Sequence, residues 1–325
     1  MRPFAYERAA DAESAVGAAA GGAGGARYLG GGTNLVDLMK LGVETPERLV
    51  DVSRLPHDAV EERPGGGLRA GAAVRNSDLA VHPAVRERYP VLAEALLAGA
   101  SGQLRNLATV GGNLLQRTRC PYFQDVTKPC NKREPGTGCP AREGQHRNLA
   151  ILGHSEHCVA THPSDMAVAL TAIGATVHVL TPGGAAAFEM PGLHRLPADE
   201  PQRDTNLGPA DLITAVELAA PAPRSTYRKV RDRASFAFAV VSVAAAVEVR
   251  DGVIEDARIA LGGVAHVPWR ARAAERALTG VPAGPDAFAA AAEAELAHAQ
   301  PLRDNAFKVP LTRNVLVSTL AELCA

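Results

Sequence analysis

The stretch SGQLRNLATVGGNLLQRTRC, Ser101–Cys120, decides how the rest of this 325-residue chain is interpreted. It contains a glycine pair followed by asparagine, Gly111 to Asn113. Glycine tolerates positive φ and has no side chain to clash, so such a turn lets a main chain pass close to a bulky anionic group. A first thiol, Cys120, follows seven residues after Asn113. The stretch therefore predicts a nucleotide-binding turn beside a metal centre, and two redox groups held that close indicate electron transfer.

An earlier glycine turn has a similar character. The residues LGGGTNLVDLMK, Leu29–Lys40, follow a short predicted strand at Arg27–Leu29. A strand, a glycine turn and the start of a helix together direct several backbone N–H groups at one point, which suits phosphate oxygens. The spacing is neither G-x-G-x-x-G nor a P-loop, so this turn alone is equally compatible with a structural hairpin. Two such turns, each with Thr and Asn, predict a dinucleotide whose two phosphates receive donors from both sides.

Four of the five cysteines are clustered in the spacing C-x9-C-x8-C-x18-C, and the fifth, Cys324, is expected to be uninvolved. Clustering of this kind is not typical of a secreted disulfide framework. The segment is rich in Pro, Gly, Arg and Lys, so we expect no apolar core there that would bury the thiols as ordinary apolar residues. The clustered cysteines are Cys120, Cys130, Cys139 and Cys158.

Four thiolates suit either a tetrahedral zinc or an iron–sulfur cube. Zinc sites usually place ligands as close C-x2–4-C pairs, which this chain lacks, so the spacing favours the cube and zinc is the alternative. Basic residues outnumber acidic ones around the cysteines, and their charge would offset that of the thiolates. Four nearby histidines are expected to be surface residues rather than ligands: His146, His154, His157 and His162.

The bulk composition excludes several classes of protein. Lys and Arg total 34 against 35 Asp and Glu, a net charge of -1 that gives no sign of nucleic-acid binding. The longest apolar run, Ala237–Val249, is interrupted by Ser242 and Glu248 and is too short for a bilayer of about 30 Å. Charged residues from Glu7 onward occupy the place of the apolar region of a secretory signal. We therefore expect no membrane insertion and no export signal in this chain.

The remaining pattern predicts a chain of two or three domains. A capped helix at Asp11–Ala20 should end at Gly21–Gly25, and Asp165 should cap a helix at Ser164–Leu170. A proline-rich boundary at Pro221–Pro223 separates a C-terminal α+β domain, where Asp251-Gly252 predicts a hairpin. The segments expected there are strands Phe238–Val249 and Ile254–Gly262 and helices Ala271–Leu278, Asp286–Ala297 and Leu311–Leu323.

Taken together, these motifs resemble the FAD-binding (medium) subunits of the xanthine dehydrogenase, or molybdenum hydroxylase, family. The similarity runs along essentially the whole chain. The loop RTRCPYFQDVTKPCNKREPGTGC is similar to the branch with an additional [4Fe-4S] cluster, found in periplasmic aldehyde oxidoreductases and, with a different loop, in 4-hydroxybenzoyl-CoA reductase. The aldehyde oxidoreductase subunits are the better match. The motifs that carry the resemblance are PFAY, LGGGTNLVDLMK, ATVGGNLL, THPSDMA and YRKVRDRASFAFAVVSVA.

The resemblance implies an α+β fold in two parts. Residues 1–223 would form an FAD-binding domain of the vanillyl-alcohol oxidase (PCMH) type, with subdomains 1–54 and 55–223 and an iron–sulfur loop at 117–158. Residues 224–325 would form a C-terminal α+β domain of the CO dehydrogenase flavoprotein type.

The resemblance also implies roles for particular residues. The first turn would wrap the FAD pyrophosphate with Thr33 and Asn34 as side-chain donors, and Asp165 would bond the ribityl or ribose group instead of capping a helix. Ile213 and Lys229 would lie near the isoalloxazine ring. The four clustered cysteines would ligate the [4Fe-4S] cluster. The complete set of implied FAD-binding residues is Tyr28, Leu29, Gly30, Gly31, Gly32, Thr33, Asn34, Leu35, Ala100, Thr109, Gly112, Asn113, Asp165, Ile213 and Lys229.

The implied function is that of an electron-exit subunit in a heterotrimeric molybdenum-dependent aldehyde oxidoreductase. No residue of this chain would be catalytic, because the aldehyde would be oxidised at the molybdenum cofactor of a large partner. Electrons would pass through two [2Fe-2S] clusters of a small partner to FAD here, and then to an external acceptor that the loop Arg231–Ala237 does not identify. The alternatives are a flavin subunit of an aromatic acyl-CoA reductase and a zinc-containing binding protein. The resemblance favours the periplasm, by co-export with the small partner, over the cytoplasm.

Overall fold

A three-stranded parallel sheet organises the first segment of the chain, with strand order β1-β3-β2. The computed structural model describes residues 1–21 and 25–325. The first helix starts at a capping box, in which Asp11 Oδ1 accepts the N–H of Ser14 at 2.7 Å, and Gly21 caps its C-terminus. The helix was predicted to end at Gly21–Gly25, and residues 22–24 of that range lie outside the described residues. The elements are β1 (Ala5–Arg8), α1 (Ala12–Ala20), β2 (Ala26–Leu29), α2 (Leu35–Leu41) and β3 (Arg48–Asp51).

A five-stranded antiparallel sheet forms the second segment, with order β4-β5-β8-β6-β7. Every residue of its last helix, α9, is buried, so this helix is the centre of the largest core. Two strands and four short helices of this segment were not predicted, because short sequences such as GAAAFE at Gly184–Glu189 have no apolar alternation. The strands are β4 (Val60–Glu62), β5 (Leu68–Gly71), β6 (Ala175–Thr181), β7 (Gly184–Glu189) and β8 (Leu212–Leu218). The helices are α3 (Asn76–Val81), α4 (Pro83–Arg88), α5 (Pro90–Ala98), α6 (Gly102–Arg105), α7 (Val110–Leu114), α8 (Pro121–Gln124) and α9 (Asp165–Ile173).

The C-terminal segment is a four-stranded antiparallel sheet, β12-β11-β10-β9, covered by helices. The predicted hairpin is confirmed: Asp251 and Gly252 have φ of 51° and 76°, as a type I′ turn requires. The apolar faces of these helices pack on β10 and β11, so the predicted α+β domain is confirmed. No helix in the described part of the chain combines the length and apolar character needed to cross a membrane. The elements are β9 (Ser225–Val230), β10 (Val241–Arg250), β11 (Val253–Gly262), β12 (Trp269–Arg270), α10 (Arg272–Leu278), α11 (Pro285–Leu296) and α12 (Lys308–Cys324).

The cysteine loop between residues 117 and 158 has a small apolar core of its own. Phe123 and Leu149 are only 1% and 2% exposed, and Leu38 of α2 packs with them. Cys120 and Cys158 belong to the same cluster and are buried. The expectation that this loop lacks an apolar core is therefore wrong. Its few apolar residues are spread widely along a polar sequence, and only the fold brings them together.

A buried lysine in the C-terminal segment predicts a pH dependence of stability. Lys308 is fully buried and donates to the carbonyls of Leu149 at 2.9 Å and Gly263 at 2.7 Å. Burial lowers the pKa of Lys308 from 10.5 to about 7. Between these two values the unfolded chain binds more protons than the folded protein, so this group makes the free energy of unfolding rise with pH. Below the lower value its contribution is constant.

This contribution is absent in Lys308→Met. We therefore expect the unfolding free energy of the wild type minus that of the variant to increase as pH rises from about 7 to about 10. Urea titrations across that range measure it. The exposed Lys128→Met serves as the control, whose difference from wild type should not grow with pH. A Lys308→Met difference that stays constant across the range would contradict the assignment.

Candidate cofactor cleft and cysteine site

Two adjoining clefts meet at the glycine turns. The N-terminal cleft, of about 550 Å³, lies between the first two sheets and is lined by Tyr28, Leu55 and Ile213 among others. The central cleft, of about 790 Å³, is bordered by the cysteine loop and the C-terminal segment. Both clefts are lined by the same four residues of the two turns, so the turns form the boundary between them. These residues are Gly32, Thr33, Asn34 and Gly112.

The first glycine turn presents free hydrogen-bond donors at this boundary. The backbone N–H groups from Gly30 to Asn34 have no acceptor among the residues that the structure describes. The buried Asn34 Nδ2 likewise has no partner among them, while Asn34 Oδ1 accepts the N–H of Arg117 at 2.9 Å. Gly32 has a φ of 72°, which strongly favours glycine. A bound anionic group with several acceptor oxygens fits this set of donors.

Close packing between the two turns also requires glycine. A Cβ at Gly31 would lie 1.9 Å from the carbonyl oxygen of Leu107, and a Cβ at Gly30 would lie 2.9 Å from Thr109 Oγ1. The first turn therefore rests directly on the segment that leads into the second. The sequence predicted glycine here for access to an anion, and the structure adds this second reason.

The second glycine turn uses its own backbone donors internally. The N–H groups of Val110 and Gly111 donate to carbonyls near β5, and that of Gly112 donates to Thr109 Oγ1 at 3.2 Å. Asn113 Oδ1 accepts the hydroxyl of Ser164 at 2.6 Å. The expectation of donors from both turns therefore does not extend to these amides, because two backbone carbonyls and the Thr109 hydroxyl already accept their hydrogen bonds.

Asp165 is bonded to two side chains of β9. Its Oδ2 accepts from Lys229 Nζ at 2.7 Å, and its Oδ1 accepts the hydroxyl of Tyr227. Ser164, whose Oγ accepts the N–H of Ala167 at 3.0 Å, is the cap of α9, so the cap interpretation of Asp165 is wrong. Burial, with the Asp165 carboxylate beside it, holds the pKa of Tyr227 well above its usual range. This buried ion pair joins α9 of the second segment to β9 of the C-terminal segment.

The remaining implied FAD contacts divide between the clefts. Ala100, with a φ of 51°, lines the central cleft together with Asp165. Ile213 and Leu35 line the N-terminal cleft, whereas Leu29 lines neither. The structure thus brings the two turns together. It places Ile213 at the N-terminal cleft, whereas Lys229 lines neither cleft and pairs with Asp165.

All four clustered cysteines line one small cavity, which Lys132 also borders. Burial raises the pKa of Cys120 to about 11 and that of Cys158 to about 12. Both thiols are therefore protonated at neutral pH unless a cation is bound, and binding a metal would release protons. The four cysteines are neighbours in space, as their clustering in the sequence predicted, and the donor set suits a thiolate-bound metal group.

The four thiols do not converge on a single point. A tetrahedral zinc needs its sulfur ligands about 2.3 Å from one centre. Within residues 1–21 and 25–325, no group of three or more His, Cys, Asp or Glu side chains is placed to hold one ion. Among the histidines expected at the surface, His146 is buried with 2% exposure, so that expectation is wrong for it.

A partly buried polar cluster lies beside the cysteine cavity and was not predicted from the sequence. Asp204 Oδ2 accepts from Arg117 Nε at 2.9 Å, and Oδ1 accepts from Lys132 Nζ. His266 Nε2 lies 2.9 Å from Lys132 Nζ. Burial would raise the pKa of Asp204, but Lys132, His266 and Arg117 hold it well below its usual range. Since these residues lie far apart along the chain, no local motif could have grouped them.

Comparison with known proteins gives consistent matches along the chain. Residues 2–221 match the family model described as the FAD binding domain in molybdopterin dehydrogenase, and residues 225–323 match the CO dehydrogenase flavoprotein C-terminal domain. The aldehyde oxidoreductase FAD-binding subunit PaoB of Escherichia coli (strain K12) is 51% identical over 325 residues, covering 99% of this chain and 98% of the relative.

More distant relatives match over most or all of the chain. The glyceraldehyde dehydrogenase medium chain of Sulfolobus acidocaldarius is 26% identical over 78% of this chain and 73% of its own length. The solved carbon monoxide dehydrogenase of Hydrogenophaga pseudoflava aligns over 100% of both chains with a TM-score of 0.78 and 24% identity, which establishes a shared fold.

Proposed function

Because this chain belongs to the family of FAD-binding medium subunits of the molybdenum hydroxylases, an oxidoreductase family, we propose that it is the FAD- and [4Fe-4S]-carrying subunit of a heterotrimeric aldehyde oxidoreductase. The observation that carries the proposal is the first glycine turn, whose free backbone N–H groups face the boundary of two clefts. Asn34 of this turn bonds the backbone of Arg117, only three residues before Cys120. The cofactor turn and the cysteine loop are therefore tied together.

The residues of the clefts have separable tasks in this proposal. The amides from Gly30 to Asn34 and the Asn34 side chain bind the pyrophosphate, and Ala100 and Asp165 border the central cleft. Ile213 lines the other cleft. Bound FAD supplies chemistry that accepts electrons singly and releases them in pairs. The chain's own residues position the cofactor and exclude water, and substrate oxidation belongs to a partner.

The four cysteines are proposed as ligands of one [4Fe-4S] cluster. Their support is the cavity that all four cysteines share and the buried Lys132 ammonium at the cavity wall. A cation there offsets the charge that four thiolates bring. Iron–sulfur clusters of this type take four Cys ligands.

The proposed partners are a large subunit with the molybdenum cofactor and a small subunit with two [2Fe-2S] clusters. The relative PaoB is named as a subunit of an aldehyde oxidoreductase, and this chain covers 98% of it. Electrons from the small subunit would reach FAD here and leave to an external acceptor. We propose export to the periplasm together with the small partner. Fractionation of cells that express both chains tests this, and a complex confined to the cytoplasm would contradict it.

Replacing any one of the four cysteines with serine should remove about four irons per chain, because each thiolate holds one corner of the cluster. The flavin turns do not involve these thiols, and the core around Phe123 and Leu149 keeps the loop in place, so FAD should be retained. The measurement is iron and acid-labile sulfide per FAD in each variant. The variants are Cys120→Ser, Cys130→Ser, Cys139→Ser and Cys158→Ser.

The matched control is Cys324→Ser, which lies at the end of α12 and should leave iron and sulfide unchanged. Unchanged iron in one variant would remove that cysteine from the ligand set. Unchanged iron in all four, or a colourless wild-type protein that contains zinc, would refute the cluster.

A further inference from the structure

The buried polar cluster around Asp204 touches both proposed redox sites. Asp204, Arg117 and Glu44 line the N-terminal cleft. Lys132 lines the cavity of the four cysteines. No other part of the described chain combines buried charges with both of these cavities. These side chains therefore provide an electrostatic connection between the N-terminal cleft and the cysteine site.

Asp204 holds one cation with each of its oxygens. Oδ2 accepts from Arg117 Nε at 2.9 Å, and Arg117 Nη1 also donates to Glu44 Oε1 at 2.5 Å. Oδ1 accepts from Lys132, whose Nζ also donates to the carbonyl of Pro201 at 2.7 Å. One carboxylate thus fixes the cation of each site.

Burying the ammonium group of Lys132 costs free energy, so its position calls for a physical reason. Its side chain is only 1% exposed, and a buried ammonium must be paired to be tolerated. Asp204 supplies that pairing while keeping 27% side-chain exposure at the edge of the cleft. A lysine that served only solubility would be exposed to solvent, whereas Lys132 lies at the wall of the thiol cavity. Its location is that of a charge that acts on the cysteine site.

We propose that Asp204 is a positioning residue that holds Arg117 at the N-terminal cleft and Lys132 at the cysteine site and partly offsets the charge of both cations, and so sets the reduction potentials of the flavin and the iron–sulfur cluster. The inference rests on the proposed function, because it takes the N-terminal cleft as the site of the flavin and the four cysteines as ligands of a [4Fe-4S] cluster. Reduction adds negative charge to either group, so a nearby buried cation favours the reduced form and a nearby carboxylate opposes it. Removing Asp204 and removing Lys132 must therefore act with opposite signs.

The test is an equilibrium redox titration of the intact complex, with flavin followed by visible absorption and the cluster by electron paramagnetic resonance. Asp204→Asn should raise the potentials of both groups, because the lost negative charge lines the N-terminal cleft and pairs with Lys132 at the cysteine site. Lys132→Met should lower the potential of the cluster and change that of the flavin less. Asp204→Glu keeps the charge and should stay near wild type, which covers the case in which Asp204→Asn does not fold.

Glu295→Gln is the matched control, since Glu295 is a buried carboxylate that bonds Trp269 at 2.7 Å and lines none of the cavities described above. It should lower stability and leave both potentials unchanged. Potentials unchanged in Asp204→Asn, with iron and FAD at wild-type levels, would overturn the inference. Shifts of the same sign in Asp204→Asn and Lys132→Met would show that the polar residues around Asp204 act only structurally, and would also overturn the inference. A wild-type complex without iron would instead refute the proposed [4Fe-4S] site itself.

Discussion

Replacing Gly31 with alanine is expected to strip the protein of FAD. The new Cβ would lie 1.9 Å from the carbonyl oxygen of Leu107, a backbone atom that cannot move without shifting the segment before the second turn. The first turn must then leave its position, and its free N–H groups no longer face the clefts. Overpacking of this kind costs roughly 1–3 kcal/mol in stability as well. The ratio of FAD to protein in the purified variant, together with its thermal midpoint, measures both effects.

Gly17→Ala is the control for this substitution. Gly17 lies within α1, and a Cβ there meets nothing within 4 Å. Alanine is favoured over glycine inside a helix by about 0.5–1 kcal/mol, so this variant should keep FAD and be slightly more stable. Full FAD content in Gly31→Ala would show that the contact between the two turns does not control cofactor binding.

Replacing Asp165 with alanine is expected to destabilise the protein by about 3–5 kcal/mol, because it leaves a buried charge without its partner. The Lys229 side chain is 3% exposed, and its remaining acceptor is the carbonyl of Ala98 at 3.1 Å. The hydroxyl of Tyr227 loses its acceptor in the same variant. Since this pair connects α9 with β9, the loss should fall on the contact between the FAD-binding and C-terminal segments. Denaturant titration of the protein gives the change in unfolding free energy.

The double variant Asp165→Ala with Lys229→Met should recover part of that loss, because no uncompensated charge remains. The exposed pair of Glu255 and Arg250, whose side chains are 40% and 74% exposed, supplies the contrast. Replacing Glu255 with alanine should lower the unfolding free energy by at most about 1 kcal/mol. A double variant as unstable as the sum of its single variants would show that the Asp165–Lys229 pair is not coupled.

Local sequence patterns determined a large part of this protein. The glycine turns, the Asp251-Gly252 hairpin and the long apolar strands depend on φ preferences and side-chain periodicity within a few residues, and each was predicted from the sequence. The motif set also identified the family and the α+β fold, because its members lie in order along the chain. The clustering of the four cysteines was visible for the same reason.

The tertiary structure alone decided which polar groups become partners. Asp165 looked like a helix cap, and its real partner Lys229 lies 64 residues away. Asp204 stood in an apparently plain loop, and its partners Arg117 and Lys132 come from positions 87 and 72 residues distant. The core of the cysteine loop was hidden because its apolar residues are scattered. A buried charge is stabilised by whichever opposite charge the fold brings within a few ångströms, and that distance is set by packing of the whole chain rather than by neighbours in sequence.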